Sequence, residues 1–323
     1  MADQASGANG VIILSAAETT PGQVPITPGG QILPFESESL QRKTELTKSN
    51  VRRSNRSGSK PIRGNRDVSG NIKTELDPNM ARLFMMAFGS VTTAGTGPNY
   101  THTFKIGNTL PYHTIEKGFT DLGKYFRYLG CKCNKFGFEM NPSGILPLDM
   151  DFMGIDREIA DATFDAAAVD LGHDPFDGFE GTVKEGGSAI ATITGFKWTL
   201  ENNCDNGIYC IGGAGKRYNI PAGITVVSGS VTALFDSDAL LQKAIDGDSS
   251  SIEVTLSRGS GDGTASNESL VLTVDELIYQ EQDPIIKDDK GILVELPWTA
   301  FWNTGTNGTS VMAVYKNTLA SAE

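Results

Sequence analysis

The residues best suited to chemistry are two carboxylates, Asp149 and Asp151, in the segment LPLDMDFMG. Side chains two residues apart lie on the same face of a β-strand, and a positioned carboxylate pair is one arrangement used for general acid–base catalysis. The chain has 39 Asp and Glu residues, however, so two solvated carboxylates on an exposed strand are expected from composition alone. We therefore interpret the pair as a surface feature and predict that the protein is not an enzyme.

The four cysteines form two close pairs in the sequence, Cys131 with Cys133 and Cys204 with Cys210. A four-thiolate zinc site would use such residues, but their spacing is not that of a C-x2-C knuckle. The N-terminal segment has neither the basic nor the apolar region of a secretory signal, so the thiols are expected to remain reduced. We predict buried, free cysteines and neither a metal nor a cofactor.

The remaining candidate motifs do not support catalysis either. His102, His113 and His173 are scattered, and no nucleophile lies at motif spacing from them. Residues 212–216, GGAGK, resemble a phosphate-binding loop, but the first glycine of that motif is missing. Arg217 also stands where Ser or Thr must reach magnesium.

The elements that organise the chain are a strand and a helix written in sequence at residues 68–88. Apolar and small residues alternate with polar ones as far as Leu76, which predicts a half-buried strand. Asp77 is a suitable helix cap, Pro78 suits the first helical position, and Gly89 is a typical helix end.

A second copy of this unit lies at residues 226–247. The V-S-G segment recurs, Asp236 stands where Asp77 stands, and Gly247 ends the second helix. The triplet G-I-L also recurs, at residues 144–146 and 291–293, and the alternating residues 251–256 follow the second helix as residues 101–106 follow the first. Repetition of one unit in this order predicts two related domains in tandem.

Composition supports an all-β fold, a β-sandwich or barrel with flanking helices. The chain of 323 residues has 37 glycines and many short alternating segments. It contains no apolar run of about 18 residues, so no transmembrane helix is predicted. We predict a first domain at 1–155 with a long polar loop at 37–66, an acidic connection at 156–188, and a second domain at 189–323.

Charge is distributed unevenly along the chain, which carries a net charge of −12. Up to Asn141 there are 17 basic and 11 acidic residues, and the rest of the chain has 10 basic and 28 acidic residues. Ten of the basic residues lie between Arg42 and Lys73. A basic run is often a solvated loop or a disordered arm. It also suits docking on an acidic surface, whereas the absence of interleaved aromatic residues argues against nucleic-acid binding.

The chain resembles the tail tube (major tail) proteins of long, flexible-tailed bacteriophages. In the first half the resemblance lies in RDVSGNIKTELDPNMARLFMMAFGSVTT, LPYHTIEKGF, YFRYLGCKCNKFGFEMNPSG and DMDFMG. In the second half it lies in TGFKWTLENN, VVSGSVTALFD and GILVELPW. These segments cover most of residues 60–155 and 190–302.

The resemblance implies a structural virion protein of siphovirus type whose rings stack into a tail tube for DNA ejection. In such tubes the inner strands of neighbouring subunits join into a β-barrel, and a long loop reaches the next ring. It also implies localisation in the phage tail after synthesis in the host bacterial cytoplasm. The partners would be tail terminator and tail tip proteins, with DNA passing through without specific binding and no membrane contact.

Two surfaces are predicted to carry this function. The inter-ring loop would dock through Arg52, Arg53, Arg56, Lys60, Arg63 and Arg66. An acidic lumen would repel DNA phosphates, and its candidate residues are Glu75, Glu116, Glu253 and Asp275. Two strand–helix units per chain favour a trimeric ring with pseudo-six-fold symmetry over a hexamer. The alternative is another virion or host-surface-binding module, for which Trp198, Trp298 and Trp302 are the available aromatic platforms.

Overall fold

Strands dominate the computed structural model, which describes residues 4–52, 54–190, 192–286, 291–302 and 307–322. The first half contains β1 (Gly10–Ala17), β2 (Gln31–Leu33), β3 (Ser37–Glu38), β4 (Gln41–Thr47), β5 (Ile62–Glu75), α1 (Ala81–Phe88), β6 (Gly89–Thr96), β7 (Asn99–Ile106), β8 (His113–Phe119), β9 (Lys124–Met140) and β10 (Pro147–Gly154). The rest contains β11 (Asp156–Ala160), β12 (Val169–Asp170), β13 (Gly181–Glu185), β14 (Ser188–Ala189), β15 (Ile193–Glu201), β16 (Val226–Leu234), α2 (Ala239–Asp246), β17 (Ser249–Ser257), β18 (Ser269–Tyr279), β19 (Leu293–Ala300) and β20 (Met312–Asn317). The predicted all-β class is confirmed.

One antiparallel sheet runs through both halves of the chain. Its strands follow the order β4, β5, β10, β9, β15, β16, β19, β18. The halves meet where β9 pairs with β15, from Met140 opposite Phe196 to Lys135 opposite Glu201. We call the six strands from β5 to β19 the central sheet.

The C-terminal strand β20 joins the halves a second time. It pairs with β18 along one edge and with β7 along the other, and β7 pairs in turn with β6. Strands of both halves therefore belong to one hydrogen-bonded network. The division into two tandem domains stays a prediction.

The long strand β9 takes part in two layers. Its first part pairs with β8 and β11, in a layer that also includes β1, β2 and β12. Its second part pairs with β10 and β15 in the central sheet. The change comes near Gly130, which has a φ of +62°. A Cβ there would lie 2.6 Å from Ile155 Cδ1, so glycine is required for both reasons.

Both helices are eight residues long and end at a glycine in the left-handed conformation, Gly89 and Gly247. The predicted cap residues do not cap them. Helix α1 follows Met80, and the Asp77 carboxylate accepts instead from the Asn79 N–H at 2.7 Å, in the turn before the helix. Helix α2 follows Asp238 rather than Asp236, and the Asp238 side chain makes no capping hydrogen bond.

The core also crosses between the halves. The Phe84 ring lies 4.8 Å from Phe136 and 4.9 Å from Tyr315, measured between ring centroids. Phe88 stacks on Trp198 at 6.1 Å. Helix α1 is thus buried by aromatic residues that come from widely separated strands, and these contacts bind the two halves together.

Strand pairing supports a duplication. In the first half the strands pair in the order β8, β9, β10, β5, and in the second half in the order β17, β18, β19, β16. In each half the strand before the helix pairs with the strand after the G-I-L triplet. By this order β17 is equivalent to β8. The repeat in the sequence predicts instead that residues 251–256 of β17 are equivalent to residues 101–106 of β7.

Two predicted loops contain strands. The polar segment 37–66 includes β3, β4 and the start of β5, so its strandless part shortens to residues 48–61. The acidic connection 156–188 includes β11 and β13, which pair with β9 and β17. No helix among the described residues is long and apolar enough to cross a membrane.

Candidate functional site: a polar sheet face and a basic hairpin

The central sheet has one buried and one polar face. Along β10, Leu148, Met150 and Phe152 are buried, whereas Asp149 and Asp151 between them are partly exposed. The same alternation continues across neighbouring strands because the pairing keeps the register. We call the solvent side the polar sheet face. Its charged residues are Lys73, Glu75, Lys135, Glu139, Asp149, Asp151, Lys197, Glu201 and Glu295.

Acidic residues outnumber lysines on this face by six to three among the described residues. Two cross-strand ion pairs neutralise part of the charge, Lys73 with Asp149 at 3.6 Å and Lys135 with Glu201 at 3.4 Å. Their side chains remain about half exposed, so each pair contributes little to stability. Glu139 and Glu295 make no ion pair with a described residue. The face therefore has an acidic excess.

The carboxylates Asp149 and Asp151 do lie on one face, as predicted. Both accept a hydrogen bond from Nδ2 of Asn71 on β5, at 2.9 Å in the case of Asp151. Lys73 lies beside Asp149. The pair is thus bridged by an amide on an open sheet, which is a structural contact between neighbouring strands.

The four predicted lumen residues lie in different surroundings. Glu75 is on the polar sheet face, where its carboxylate is 2.6 Å from His173 Nε2. Glu253 on β17 pairs with Lys184 at 2.6 Å, and Asp275 on β18 accepts from Asn307 at 2.7 Å. Glu75, Glu253 and Asp275 therefore do not form one continuous acidic surface on neighbouring strands.

The prediction for Glu116 is wrong. This residue is fully buried and cannot line a bore. Its carboxylate accepts from Arg127 Nε at 2.9 Å, from the Thr163 hydroxyl at 2.6 Å and from the Phe164 N–H at 2.9 Å. Glu116 on β8 thus links the acidic connection 156–188 to β9 through these hydrogen bonds. Alternation along β8 places Glu116 on the polar side of the strand. It does not reveal that residues of another segment, Thr163 and Phe164, cover that side.

Strands β4 and β5 extend beyond the sheet as a hairpin, with Gln41 opposite Ser69 at its base and Thr47 opposite Ile62 near its tip. We call this hairpin, with its connecting residues 48–61, the basic hairpin. Arg52, Arg56, Lys60 and Arg63 are exposed on it. None of the ion pairs between described residues involves them. Arg53 lies outside the described residues.

The sixth predicted docking residue, Arg66, lies at the base of the hairpin instead. It is 3.8 Å from Asp156, which also pairs with Arg42 at 3.2 Å and Lys216 at 2.7 Å. Burial alone would raise the pKa of Asp156, but the hydrogen bonds from Lys216, the Arg157 N–H and Arg42, with the positive charge of Lys216, outweigh it, and this pKa is lowered. Arg66 therefore anchors the hairpin within its own chain.

A loop of the second half clamps the same base. Arg217 is buried there, and its Nη1 donates to the Val68 and Gly154 carbonyls at 2.7 and 2.8 Å. The Arg66 N–H donates to the Gly215 carbonyl at 2.7 Å. The glycine-rich segment 212–216 thus has a structural contact with the hairpin, which the sequence did not indicate.

The cysteines are all free, and three of them, Cys131, Cys133 and Cys204, are buried. Burial raises the pKa of Cys131 and Cys133, and raises that of Cys204 to about 11. Cys210 is exposed, contrary to the prediction that all four are buried. Among the described residues no group of three or more His, Cys, Asp and Glu side chains is arranged to hold a metal ion.

The histidines and tryptophans serve packing in most cases. His102 binds the Asn317 side chain and the Leu319 carbonyl, at 3.1 and 3.0 Å. Trp198 and Trp298 are core residues. Trp302 is 65% exposed. A single exposed tryptophan is a small platform for a carbohydrate ligand.

Comparison with known families gives one match. The family model described as phage tail tube protein matches residues 8–300. The match includes both strand–helix units, the basic hairpin and the central sheet. No curated protein matches the chain.

Proposed function

Since the chain belongs to the phage tail tube protein family, we propose that its copies close into rings that stack into the conduit for DNA ejection. Members of this family are structural components of the virion tail and assemble with themselves into a tube. The ring, its symmetry and the passage of DNA are the proposal. The observation that carries it is the polar sheet face of the central sheet.

The geometry of that face suits the lining of a bore. A wide barrel needs strands with one face packed on protein and the other in water, and the central sheet has this alternation on all six strands. Its acidic excess would repel the phosphates of a passing duplex. Such a lining permits sliding, whereas a basic groove would retain the DNA.

A charge reversal on the polar sheet face tests the lumen. We expect tubes of Glu139→Lys/Glu295→Lys to assemble, to bind duplex DNA at low salt, and to protect it from nuclease. The matched control is Glu281→Lys/Asp283→Lys, which reverses two exposed acids after β18. DNA protection by control tubes alone, or by neither kind of tube, would contradict a bore lined by this face.

The trimeric ring is supported by the repeated strand order in the two halves. If each half occupies one of six equivalent positions, three chains close a ring with pseudo-six-fold symmetry. The halves differ in charge, which a three-fold ring allows between its alternating positions. A cross-section of the assembled tube by electron microscopy should show three chains per ring, and six chains would contradict the proposal.

The remaining assignments follow from this role. The tube would belong to a long-tailed, siphovirus-type virion, be assembled from subunits made in the host bacterial cytoplasm, and meet a tail terminator at one end and tail tip proteins at the other.

In the proposed stack the basic hairpin contacts an adjacent ring. Deletion of residues 48–62 should leave the subunit folded by circular dichroism and prevent tube formation. Normal tubes at moderate salt would refute this role of the hairpin.

A further inference from the structure

Helix α2 leaves an apolar surface in solvent. Only Ala244 of its eight residues is buried, and Ile245 is 50% exposed. Beside it, Leu234 and Leu293 are partners on β16 and β19 and are 46% and 48% exposed. Large apolar side chains grouped in this way are typical of interaction sites.

A groove follows the same helix. Its volume is about 340 Å³, and Leu234, Phe235, Leu240 and Leu241 form much of its wall. The space between helix α2 and the end of β16 is large enough for apolar side chains of another segment. We call this groove, with Ile245 and Leu293, the α2 face.

Acidic residues stand at both ends of the α2 face. Asp236 and Asp238 precede the helix, and Asp246 and Asp248 lie at its C-terminal end. All four are exposed, and none forms an ion pair with a described residue. The one lysine on the helix, Lys243, is held by Glu185 at 2.7 Å. The surface thus combines an apolar centre with an acidic rim.

The basic hairpin has the complementary composition. Residues 43–63 include seven Lys and Arg residues and one Glu. Leu46, Val51 and Ile62 on the hairpin are 59%, 72% and 67% exposed. Leu46 and Ile62 lie on neighbouring strands near the tip. These apolar side chains are accompanied by basic residues that form no ion pair with a described residue, Arg52, Arg56, Lys60 and Arg63. This composition matches an apolar groove whose rim carboxylates likewise form no ion pair with a described residue.

We propose that the α2 face of one copy receives the basic hairpin of a second copy, so that each ring is locked to the next. The apolar side chains of both surfaces are exposed to solvent, and no ion pair between described residues joins the hairpin to the α2 face within one chain. This inference rests on the proposed tube function and names the acceptor surface for the hairpin. Helix α1, by contrast, is covered by segments of its own chain and offers no such face.

The rim charges act together rather than singly. Exposed ion pairs are individually weak, but the contact recurs around a ring, so the tube multiplies each small contribution. Reversal of two rim charges is therefore expected to raise the protein concentration needed for tube formation by a factor of about ten or more.

The first test reverses Asp246 and Asp248. Lysines at a helix C-terminus interact favourably with the helix dipole, so Asp246→Lys/Asp248→Lys should keep α2 folded. We expect this variant to lose tube formation and Glu281→Lys/Asp283→Lys to retain it. Adding Arg52→Glu/Arg56→Glu to the first variant should restore tubes, because the charges become complementary again. Restored tube formation would show that the two surfaces pair with each other, because a misfolded subunit would not be rescued by charge changes on the hairpin.

The second test traps the contact. Subunits with Val51→Cys and subunits with Ile245→Cys, each also carrying Cys210→Ser, are mixed, assembled and mildly oxidised. We expect a disulfide-linked dimer on non-reducing gels. Replacing Ile245→Cys by Ile286→Cys, an exposed position outside the α2 face, should remove that dimer.

The outcomes separate the two proposals. Failure of the unmodified protein to form tubes contradicts the proposed function. Normal tubes from Asp246→Lys/Asp248→Lys, with no dimer between positions 51 and 245, contradict the α2 face as acceptor and leave the tube function intact.

Discussion

Helices α1 and α2 end the same strand–helix unit in the two halves of the chain, yet they lie in opposite environments. Both have eight residues and a left-handed terminal glycine. Seven of the eight residues in α1 are buried, and only Ala244 is buried in α2. The local sequence therefore specifies the helix in both places, whereas distant segments decide whether it becomes core or surface.

The cover of α1 comes from three parts of the chain. Arg82 on its first turn donates to the Leu14 and Gly29 carbonyls at 3.0 and 2.8 Å. Tyr315 of β20 packs on Phe84 and donates its hydroxyl to the Asp77 carbonyl. Among the described residues, no aromatic ring contact of this kind involves α2. The difference makes α1 part of the core and leaves α2 at the surface, where we propose that it takes part in assembly.

The third residue of each helix shows how much the difference in burial matters for stability. Leu83 is buried in α1, and Leu241 is only partly buried in α2. Leu83→Ala should destabilise the unassembled subunit by about 2–5 kcal/mol, because it leaves a cavity in the core. Leu241→Ala should cost about 1 kcal/mol or less, since solvent already reaches that site. Urea denaturation of both variants provides the measurement, and equal losses of unfolding free energy would show that the two helices contribute alike to the core.

Acid should weaken the first half through His113 on β8. Burial is the main reason that its pKa is lowered, from 6.5 to about 4. Between these values the unfolded chain binds a proton that the folded chain does not, so stability is present at neutral pH and is lost as the pH falls. Between pH 7 and pH 5 this loss should be about 2 kcal/mol. Strand β17, in the equivalent position, has no histidine.

Glu18 acts in the opposite direction, because burial raises the pKa of its carboxyl. Its folded form takes up a proton first, and stability therefore rises as the pH falls through that pKa. The His113→Gln variant isolates the histidine: its stability should change less between pH 7 and pH 5 than that of the unmodified protein. An unchanged pH dependence would show that His113 does not carry the effect.

The terminal glycines give a smaller contrast. A Cβ at Gly89 would lie 2.4 Å from the Thr109 carbonyl oxygen, whereas one at Gly247 would meet no atom within 4 Å. Both residues have positive φ, which costs other residues about 1–2 kcal/mol. Gly247→Ala should cost only this amount, and Gly89→Ala should cost about 1–3 kcal/mol more because of the clash. Thermal unfolding of the two variants checks the order.

Sequence alone was sufficient where the signal is local. Alternation predicted β5 and β16, and the glycines predicted the helix ends. The repeat matched the strand before each helix, but it set residues 251–256 against residues 101–106, whereas the strand order places β17 in the position of β8. The family was recognised from the order of segments and is confirmed by the match to residues 8–300. These features depend on neighbouring residues or on their order along the chain.

Features that depend on distant contacts were not predictable. Glu116 alternates like a solvent-facing residue, and only the arrival of Thr163 and Phe164 buries it. The acidic residues Glu139, Glu201 and Glu295 were missed because their common face arises from pairing β9, β15, β16 and β19 across the two halves. Alternation along one strand does not show which residues of other strands lie beside it.

The thiols also differ between regions of the molecule. Cys131 and Cys133 are buried in β9, whereas Cys210 lies exposed in the loop at the base of the basic hairpin. A thiol-specific reagent should label one cysteine in the folded subunit and all four after denaturation, because burial excludes the reagent and raises the pKa of the buried thiols.

Cys210→Ser should abolish the native label and change the unfolding free energy by no more than about 0.5 kcal/mol. Mass spectrometry counts the labels, and elemental analysis of the same sample should find no stoichiometric zinc. Rapid labelling of a second thiol under native conditions would mean that the cover over Cys131, Cys133 or Cys204 opens, and the identity of the labelled residue would locate the weak point of the fold.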